Sequence, residues 1–192
     1  MHVAFLNLLS DINSPDPDSF ISSSDLPQAL YAELAKGLPE QISVVQRATF
    51  TATIMLEEVA YYFVKDEFES SLLWWQEPVT IFEQLLDIQP DIIQISGLNL
   101  PLQFRWLRRI IGEKIKIIGE NKGEPIWASR NLWLQQFGLR VADGFIFKNI
   151  NDASSWTKAS VILEKQPIAD FSLSSENPEA DAKLLIKFYQ NL

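Results

Sequence analysis

The feature that most constrains this chain is a stretch from Asp91 to Asn149 in which the pattern strand, loop, helix occurs three times. Each apolar, β-branched run ends in a glycine or polar loop, and an amphipathic helix pattern often follows. Such alternation is typical of a parallel sheet covered by helices. It predicts an α/β fold whose chemistry lies in the loops at the carboxyl ends of its strands: Ser96-Gly97, Glu120 to Glu124 and Lys148-Asn149.

The rest of the chain extends this pattern. Five segments are mainly apolar rather than alternating, which predicts strands buried on both faces: Val3 to Leu9, Ile42 to Gln46, Ile92 to Ser96, Ile115 to Gly119 and Gly144 to Phe147. Further strands are predicted at Val59 to Val64 and Ile168 to Phe171, and a long polar loop at Asp11 to Asp25. We therefore predict a Rossmann-like, doubly wound, mainly parallel sheet with helices on both faces.

Composition excludes several classes of protein. A net charge of −9 argues against a nucleic-acid binder, which would show a basic footprint. The absence of cysteine excludes a disulfide framework and fits a cytoplasmic protein. His2 is the one histidine, so a histidine-rich metal cluster and a histidine-based triad are excluded.

The GENKGEP loop after Ile115 to Gly119 is the strongest candidate site. Gly123 permits an unusual backbone angle, and Asn121, Lys122 and Glu124 bring a donor, a cation and a carboxylate to the sheet edge. A tight turn with a salt-bridged rim is the alternative. Asn99, in the loop before the helix predicted from Pro101 to Ile111, is also placed to meet a ligand.

The first loop, SDINSPDPDS, argues against a nucleotide cofactor. It lies where a dinucleotide-binding fold has glycines, yet no glycine occurs between Met1 and Lys36. Bulky side chains would keep a phosphate away from backbone N–H groups. Asp11, Asn13 and Ser14 leave two readings open, a ligand loop made of side chains or a solvated surface loop.

Arginine and tryptophan patterns leave further alternatives. Arg105, Arg108 and Arg109 share one side of a predicted helix. This side could bind an anion, but such a stripe is more commonly a solvated helix face. Trp74-Trp75 could stack a sugar, although the apolar flanks favour packing. Helical patterns predict core positions for Trp127, Trp133 and Trp156.

Three motifs together resemble a known family. GLNLPLQFRWLRR, IKIIGENKGEP and FGLRVADGFIFKN, followed by Trp156, are similar to the N-terminal half of GT-B-type glycosyltransferases of the family-4-like group, bacterial enzymes of polysaccharide and cell-envelope glycoside synthesis. The similarity covers Met1 to about Pro178 and is strongest from Ile92 to Trp156. It implies half of a GT-B fold, with residues 1–171 as the N-terminal domain. Residues 172–192 are then a linker and helix leading towards an absent C-terminal domain.

The resemblance also implies a division of labour. The absent domain would bind the nucleotide-sugar donor, and this domain would shape the site for a sugar or glycolipid acceptor, without metal or other cofactor. The implied acceptor-side cleft contains Asp11, Asn13, Asn99, Asn121, Lys122 and Glu124. The chain alone would lack the donor site and activity, and peripheral membrane contact is left open.

At two places this sequence departs from the family pattern, which limits the residue roles that the resemblance implies here. The family usually has glycine in the first loop, and its GEP loop often has histidine where Asn121 and Lys122 stand here. No catalytic role is therefore assigned, and a degenerate enzyme remains open. The alternative is a non-catalytic α/β module that binds a ligand or docks a partner.

Overall fold

An eight-stranded sheet forms the centre of the computed structural model, which describes residues 1–9, 14, 16–23, 27–38, 41–170 and 177–192. The strands are β1 (Val3–Asn7), β2 (Ile42–Ala48), β3 (Ala52–Leu56), β4 (Val59–Lys65), β5 (Ile92–Ser96), β6 (Lys116–Glu120), β7 (Gly144–Phe147) and β8 (Ile168–Asp170). The helices are α1 (Pro17–Ser23), α2 (Gln28–Gly37), α3 (Val79–Ile88), α4 (Pro101–Ile111), α5 (Leu132–Leu139), α6 (Ile150–Lys158) and α7 (Pro178–Tyr189).

The sheet order is β3-β4-β2-β1-β5-β6-β7-β8, and every neighbouring pair is parallel except β3 with β4. The chain winds outwards from β1 in one direction and then, after α3, in the other. This is the doubly wound arrangement. The predicted fold class is confirmed, and each of the five predicted apolar segments forms a parallel strand.

Helices cover both faces because residues in each buried strand alternate between two cores. In β1, Val3 and Phe5 belong to the core beneath α1, α2 and α7, while Ala4 and Leu6 belong to the core beneath α3, α4 and α6. A strand buried on both sides has no polar face, which explains its continuous apolar sequence.

The edge strand β3 is a structural finding that the sequence patterns do not predict. It forms an antiparallel hairpin with β4, and its turn places Glu57 and Glu58 at φ 50° and 66°. Left-handed turn positions usually hold glycine or asparagine. Two glutamates therefore give no turn signal.

The predicted loop from Asp11 to Asp25 is wrong in part, because Pro17–Ser23 is helical. Asp16 caps α1 by accepting hydrogen bonds from the Ser19 amide at 2.8 Å and hydroxyl at 3.0 Å. The helix is held to the sheet by Phe20, whose ring lies 5.3 Å from that of Phe63. Proline at the first helical position fits this start.

The tryptophans divide between core and surface. Trp156 is buried in α6, as predicted. The core prediction is wrong for Trp133, which is 59% exposed on α5, because Leu134 and Leu139 occupy the inner side of that helix. Trp127 lies outside any helix and is half-buried. Trp74 and Trp75 also keep exposed rings.

Candidate functional site

The carboxyl edge of the sheet contains a topological switch point between β1 and β5. From β1 the chain continues to β2 on one side, and it returns after α3 to β5 on the other side. The loops that leave β1 and β5 therefore diverge. In open α/β sheets, ligands bind in the crevice that this divergence creates.

A row of four polar residues crosses the sheet at this edge. Asn7 is in register with Gln46 on one side and with Ser96 on the other, and Ser96 is in register with Glu120. The residues two positions earlier in β1, β2 and β6 belong to the core beneath α1, α2 and α7. Because side chains alternate along a strand, the polar row faces the same helices.

Glu120 is a buried carboxylate in this row. Its Oε2 accepts hydrogen bonds from Gln94 Nε2 at 3.0 Å and Ser96 Oγ at 3.4 Å, and its Oε1 lies 2.5 Å from Lys122 Nζ. A buried charge is costly unless it is paired and hydrogen-bonded. The contacts satisfy Glu120, and they hold the Lys122 ammonium against the protein.

Two buried tyrosines extend this network from the helices. The hydroxyl of Tyr189 in α7 donates to Gln94 Oε1, and Tyr31 projects from α2 into the same core. Burial, with the Glu120 charge as a smaller cause, raises the pKa of Tyr31 and Tyr189 well above the ordinary value. Asn7 Nδ2 lies near Tyr31 but makes no hydrogen bond of ordinary geometry within the described part of the chain.

The loop after β6 is a tight turn shaped by its own side chains. Asn121 donates from Nδ2 to the Glu124 carbonyl at 3.2 Å and accepts from the Gly123 amide at 3.0 Å. The Lys122 amide donates to Glu124 Oε2 at 2.7 Å. Gly123 has a φ of 103°, which disfavours any other residue. These contacts fix the Glu124 carboxylate at the sheet edge.

The loop after β5 touches this turn. The Gly97 amide donates to the Glu120 carbonyl at 2.9 Å. A Cβ at Gly97, whose φ is 90°, would lie 2.9 Å from Glu124 Oε1. Glycine at this position therefore allows the two loops to converge.

Two adjoining pockets lie beside the turn. The polar pocket, of about 280 Å³, is lined by Asn121, Glu124, Pro125, Ile126, Asp152 and Ser155, among others. The tryptophan pocket, of about 480 Å³, is lined by Trp74, Pro125, Ile126, Trp127, Asn131 and Leu134, among others. The pockets share Pro125 and Ile126. Such a mixture of apolar walls and a few polar groups is typical of small-molecule sites.

The structure brings three of the predicted site residues together in one turn, and a fourth lies outside both pockets. Asn121, Lys122 and Glu124 form one turn, but only Asn121 and Glu124 border the polar pocket. Asn99 is exposed on the neighbouring loop and does not line either pocket. The predicted residues Asp11 and Asn13 lie outside the described residues. In the third predicted loop, Asn149 caps α6 by accepting from the Asn151 amide at 2.8 Å, and Lys148 is exposed.

Several site residues are absent from the sequence prediction. Glu120 and Gln94 form the buried network, and Asp152 and Ser155 border the polar pocket from α6. Polar residues inside otherwise apolar strands are a signal for the first pair. Nothing local distinguishes the second pair, because only the packing of α6 beside β7 brings them to the edge.

The three arginines of α4 do not form one basic stripe. Arg105 lies over an aromatic ring of α5, and Arg109 pairs with Glu77 at 2.9 Å. Arg108 is buried, and its guanidinium donates to three backbone carbonyls and to the Asp143 carboxylate. Both predicted alternatives are wrong for Arg108, because its donors hold the end of α4 to the neighbouring loops.

Within the described ranges, no group of three or more histidine, aspartate or glutamate side chains is arranged to hold a metal ion. No helix in the part of the chain described above combines the length and apolarity needed to cross a membrane.

The chain resembles known proteins in fold rather than in sequence. No family profile and no curated protein sequence matches it. A domain-sized portion of sucrose-phosphate synthase from Thermosynechococcus elongatus aligns with a TM-score of 0.66 at 12% identity, covering 100% of this chain and 98% of that one. A longer structure of sucrose-phosphate synthase from the same organism aligns at 0.57 with 11% identity over 87% of this chain and 46% of that one, so this chain spans less than half of its length. The likeness confirms the Rossmann-like α/β fold.

Proposed function

We propose that this chain is the acceptor-side domain of a GT-B-type glycosyltransferase, which transfers a sugar from a nucleotide-sugar donor to a polysaccharide or envelope glycoside. The observation that carries the proposal is the fold likeness over the whole chain to a domain of sucrose-phosphate synthase. The position of the two pockets supports it, because α/β domains bind ligands at the carboxyl ends of their strands.

The polar pocket has the chemistry to bind sugar hydroxyls. The carboxylates of Glu124 and Asp152 accept hydrogen bonds, and the Ser155 hydroxyl, which donates to the Asn151 carbonyl at 3.1 Å, can also accept one. Because the turn fixes Glu124 in advance, little side-chain freedom is lost on binding. The proposed acceptor cleft also includes Asn99, together with Asp11 and Asn13 outside the described residues.

We predict that Glu124→Gln weakens binding of simple methyl glycosides to this chain by roughly tenfold or more, since a hydrogen bond to a charged group contributes about 1.5–3 kcal/mol. Chemical-shift titration with methyl glucoside, galactoside and mannoside measures this change. Glu179→Gln, on the exposed face of α7, is the matched control and should bind normally. Equal affinity of the Glu124 variant and the wild-type chain would contradict the site.

The proposal assigns the donor mainly to a second domain. A nucleotide diphosphate needs cations or backbone N–H groups to neutralise it, and the Lys122 ammonium is paired with Glu120. We predict that the 192-residue chain binds UDP, GDP and their sugars no more tightly than roughly millimolar, about −4 kcal/mol. Calorimetry tests this expectation, and micromolar binding or measurable transfer would show that the chain holds its own donor site.

A partner-docking module is the second candidate function, and exposed aromatic rings favour it. Trp75, Trp133 and Phe137 each expose about half of the residue surface. Aromatic residues of this kind are enriched in protein interfaces. A docking module without a sugar site would bind none of the methyl glycosides, so the same titration separates the two functions.

A further inference from the structure

The tryptophan pocket is built on two segments that buried glutamines hold in place. Gln103 of α4 is fully buried and donates from Nε2 to the carbonyls of Leu73 and Gln76, at 3.2 and 2.9 Å. Gln135 of α5 is also fully buried and accepts from the Trp127 amide at 2.9 Å. Both tryptophan-bearing segments are therefore positioned by the fold itself, before any ligand binds.

Trp74 forms one wall of this pocket while remaining accessible. Its residue surface is 39% exposed, and the Trp75 ring packs against it edge-on at 5.1 Å. Hydrogen bonds between Leu73 and Gln76 close the turn that carries this ring and fix its backbone. An aromatic ring that is held rigidly and left partly uncovered provides a stacking surface at small entropic cost.

We propose that the tryptophan pocket is a second sugar subsite, which takes the uncharged ring adjoining the acceptor sugar of a glycan at least two rings long. This inference rests on the proposed function. The pocket shares the lining residues Pro125 and Ile126 with the polar pocket, so the two lie side by side, as neighbouring rings of one glycan require. Its volume of about 480 Å³ lies within the range of ligand sites, about 300–1,000 Å³.

The chemistry of the walls favours a sugar ring over a purely apolar group. A pyranose presents C–H bonds on one face, and the negative face of an indole attracts their slightly positive hydrogens. The hydroxyls at the ring edge need polar partners. Asn131 offers an amide at the rim of the same pocket. One stacking face and one amide therefore match the two sides of a pyranose.

The charges at the two pockets favour an uncharged acceptor. Glu124 and Asp152 border the polar pocket, and none of the described residues lining either pocket carries a positive charge. A phosphorylated sugar would meet carboxylates without a compensating cation, which costs affinity. The glycan should therefore carry no phosphate on either ring.

The test titrates the 192-residue chain with one-ring and two-ring methyl glycosides of glucose, galactose and mannose, and with glucose 6-phosphate. Indole N–H resonances report each tryptophan separately. At least one two-ring glycoside should bind about tenfold more tightly than its one-ring counterpart, and should shift the Trp74 and Trp127 resonances. Trp74→Ala should remove roughly threefold to tenfold of that gain, as expected for an aromatic contact, and Trp74→Tyr should restore part of it. Trp133→Ala, on an exposed ring outside both pockets, is the control.

The outcomes separate this inference from the proposed function. Suppose that one-ring glycosides bind and that their binding depends on Glu124. If two-ring glycosides then bind no more tightly than one-ring glycosides, or if Trp74→Ala does not weaken their binding, the second subsite is wrong and the proposed function stands. If Trp133→Ala loses as much as Trp74→Ala, the subsite is also wrong. If no glycoside binds at all, both fail. Tighter binding of glucose 6-phosphate than of methyl glucoside would overturn the inference that the acceptor is uncharged.

Discussion

Replacing Asp66 with alanine should lower the free energy of unfolding by about 3–5 kcal/mol, because it leaves a buried arginine without its counter-ion. Arg47 and Asp66 are both almost completely buried, with Arg47 Nε 2.6 Å from Asp66 Oδ2. The same guanidinium donates to the carbonyls of Phe68 and Ser70, each at 2.7 Å. The pair therefore holds the segment after β4, which leads to Trp74. Urea unfolding measures the loss.

The exposed pair of Arg109 and Glu77 is the matched control for this prediction. Glu77→Ala should cost no more than about 1 kcal/mol, since surface pairs contribute little. The double variant Arg47→Met with Asp66→Leu should recover much of the stability lost in Asp66→Ala, because apolar replacements can substitute for a buried pair. If Asp66→Ala and Glu77→Ala cost the same, the buried pair has no special role.

Raising the pH above about 10 should unfold this protein steeply, because three tyrosines resist ionisation in the folded state. Burial raises the pKa of Tyr61 to about 12, and it also raises those of Tyr31 and Tyr189 well above the ordinary value. Below pH 10 both the folded and the unfolded state keep these protons, so the tyrosines do not change the free energy of unfolding. Above pH 10 the unfolded chain releases protons that the folded chain retains. The free energy of unfolding then falls by roughly 1.4 kcal/mol per pH unit for each tyrosine. The contribution of Tyr61 to this fall ends near pH 12, where Tyr61 also ionises in the folded state.

Urea unfolding repeated between pH 9 and 11.5 measures this slope. Tyr61→Phe should reduce the slope by the share of one proton while leaving the tyrosine network around Gln94 intact. Tyr189→Phe should reduce it equally and also lower stability at neutral pH, because it removes the hydrogen bond to Gln94. A flat dependence on pH up to 11.5 would mean that these tyrosines ionise freely while the protein is folded.

Much of the fold follows from local sequence because its strands are buried on both faces. The mainly apolar runs Ile42 to Gln46 and Ile92 to Ser96 can bury their side chains on both faces only between two layers of helices. Their pattern therefore predicts both a strand and its position in the middle of the fold. The hairpin turn at Glu57 and Glu58 follows no such rule. There, pairing of β3 with β4 overrides the turn preference of both glutamates.

The sequence alone determined the doubly wound class and the place of the turn from Asn121 to Glu124 at the end of a strand, because strands and their ends follow from periodicity and loop composition. Only the tertiary structure decided what that turn adjoins. Asp152 comes from α6 and shares the polar pocket with the turn, and Trp74 comes from the segment before α3 and shares the tryptophan pocket with Pro125, the residue after the turn. Tertiary contact also decided the role of Lys122, since its partner Glu120 becomes buried only when β5 and β6 pair. The local sequence does not predict such contacts between residues distant along the chain, because the contacts depend on how whole helices and strands pack.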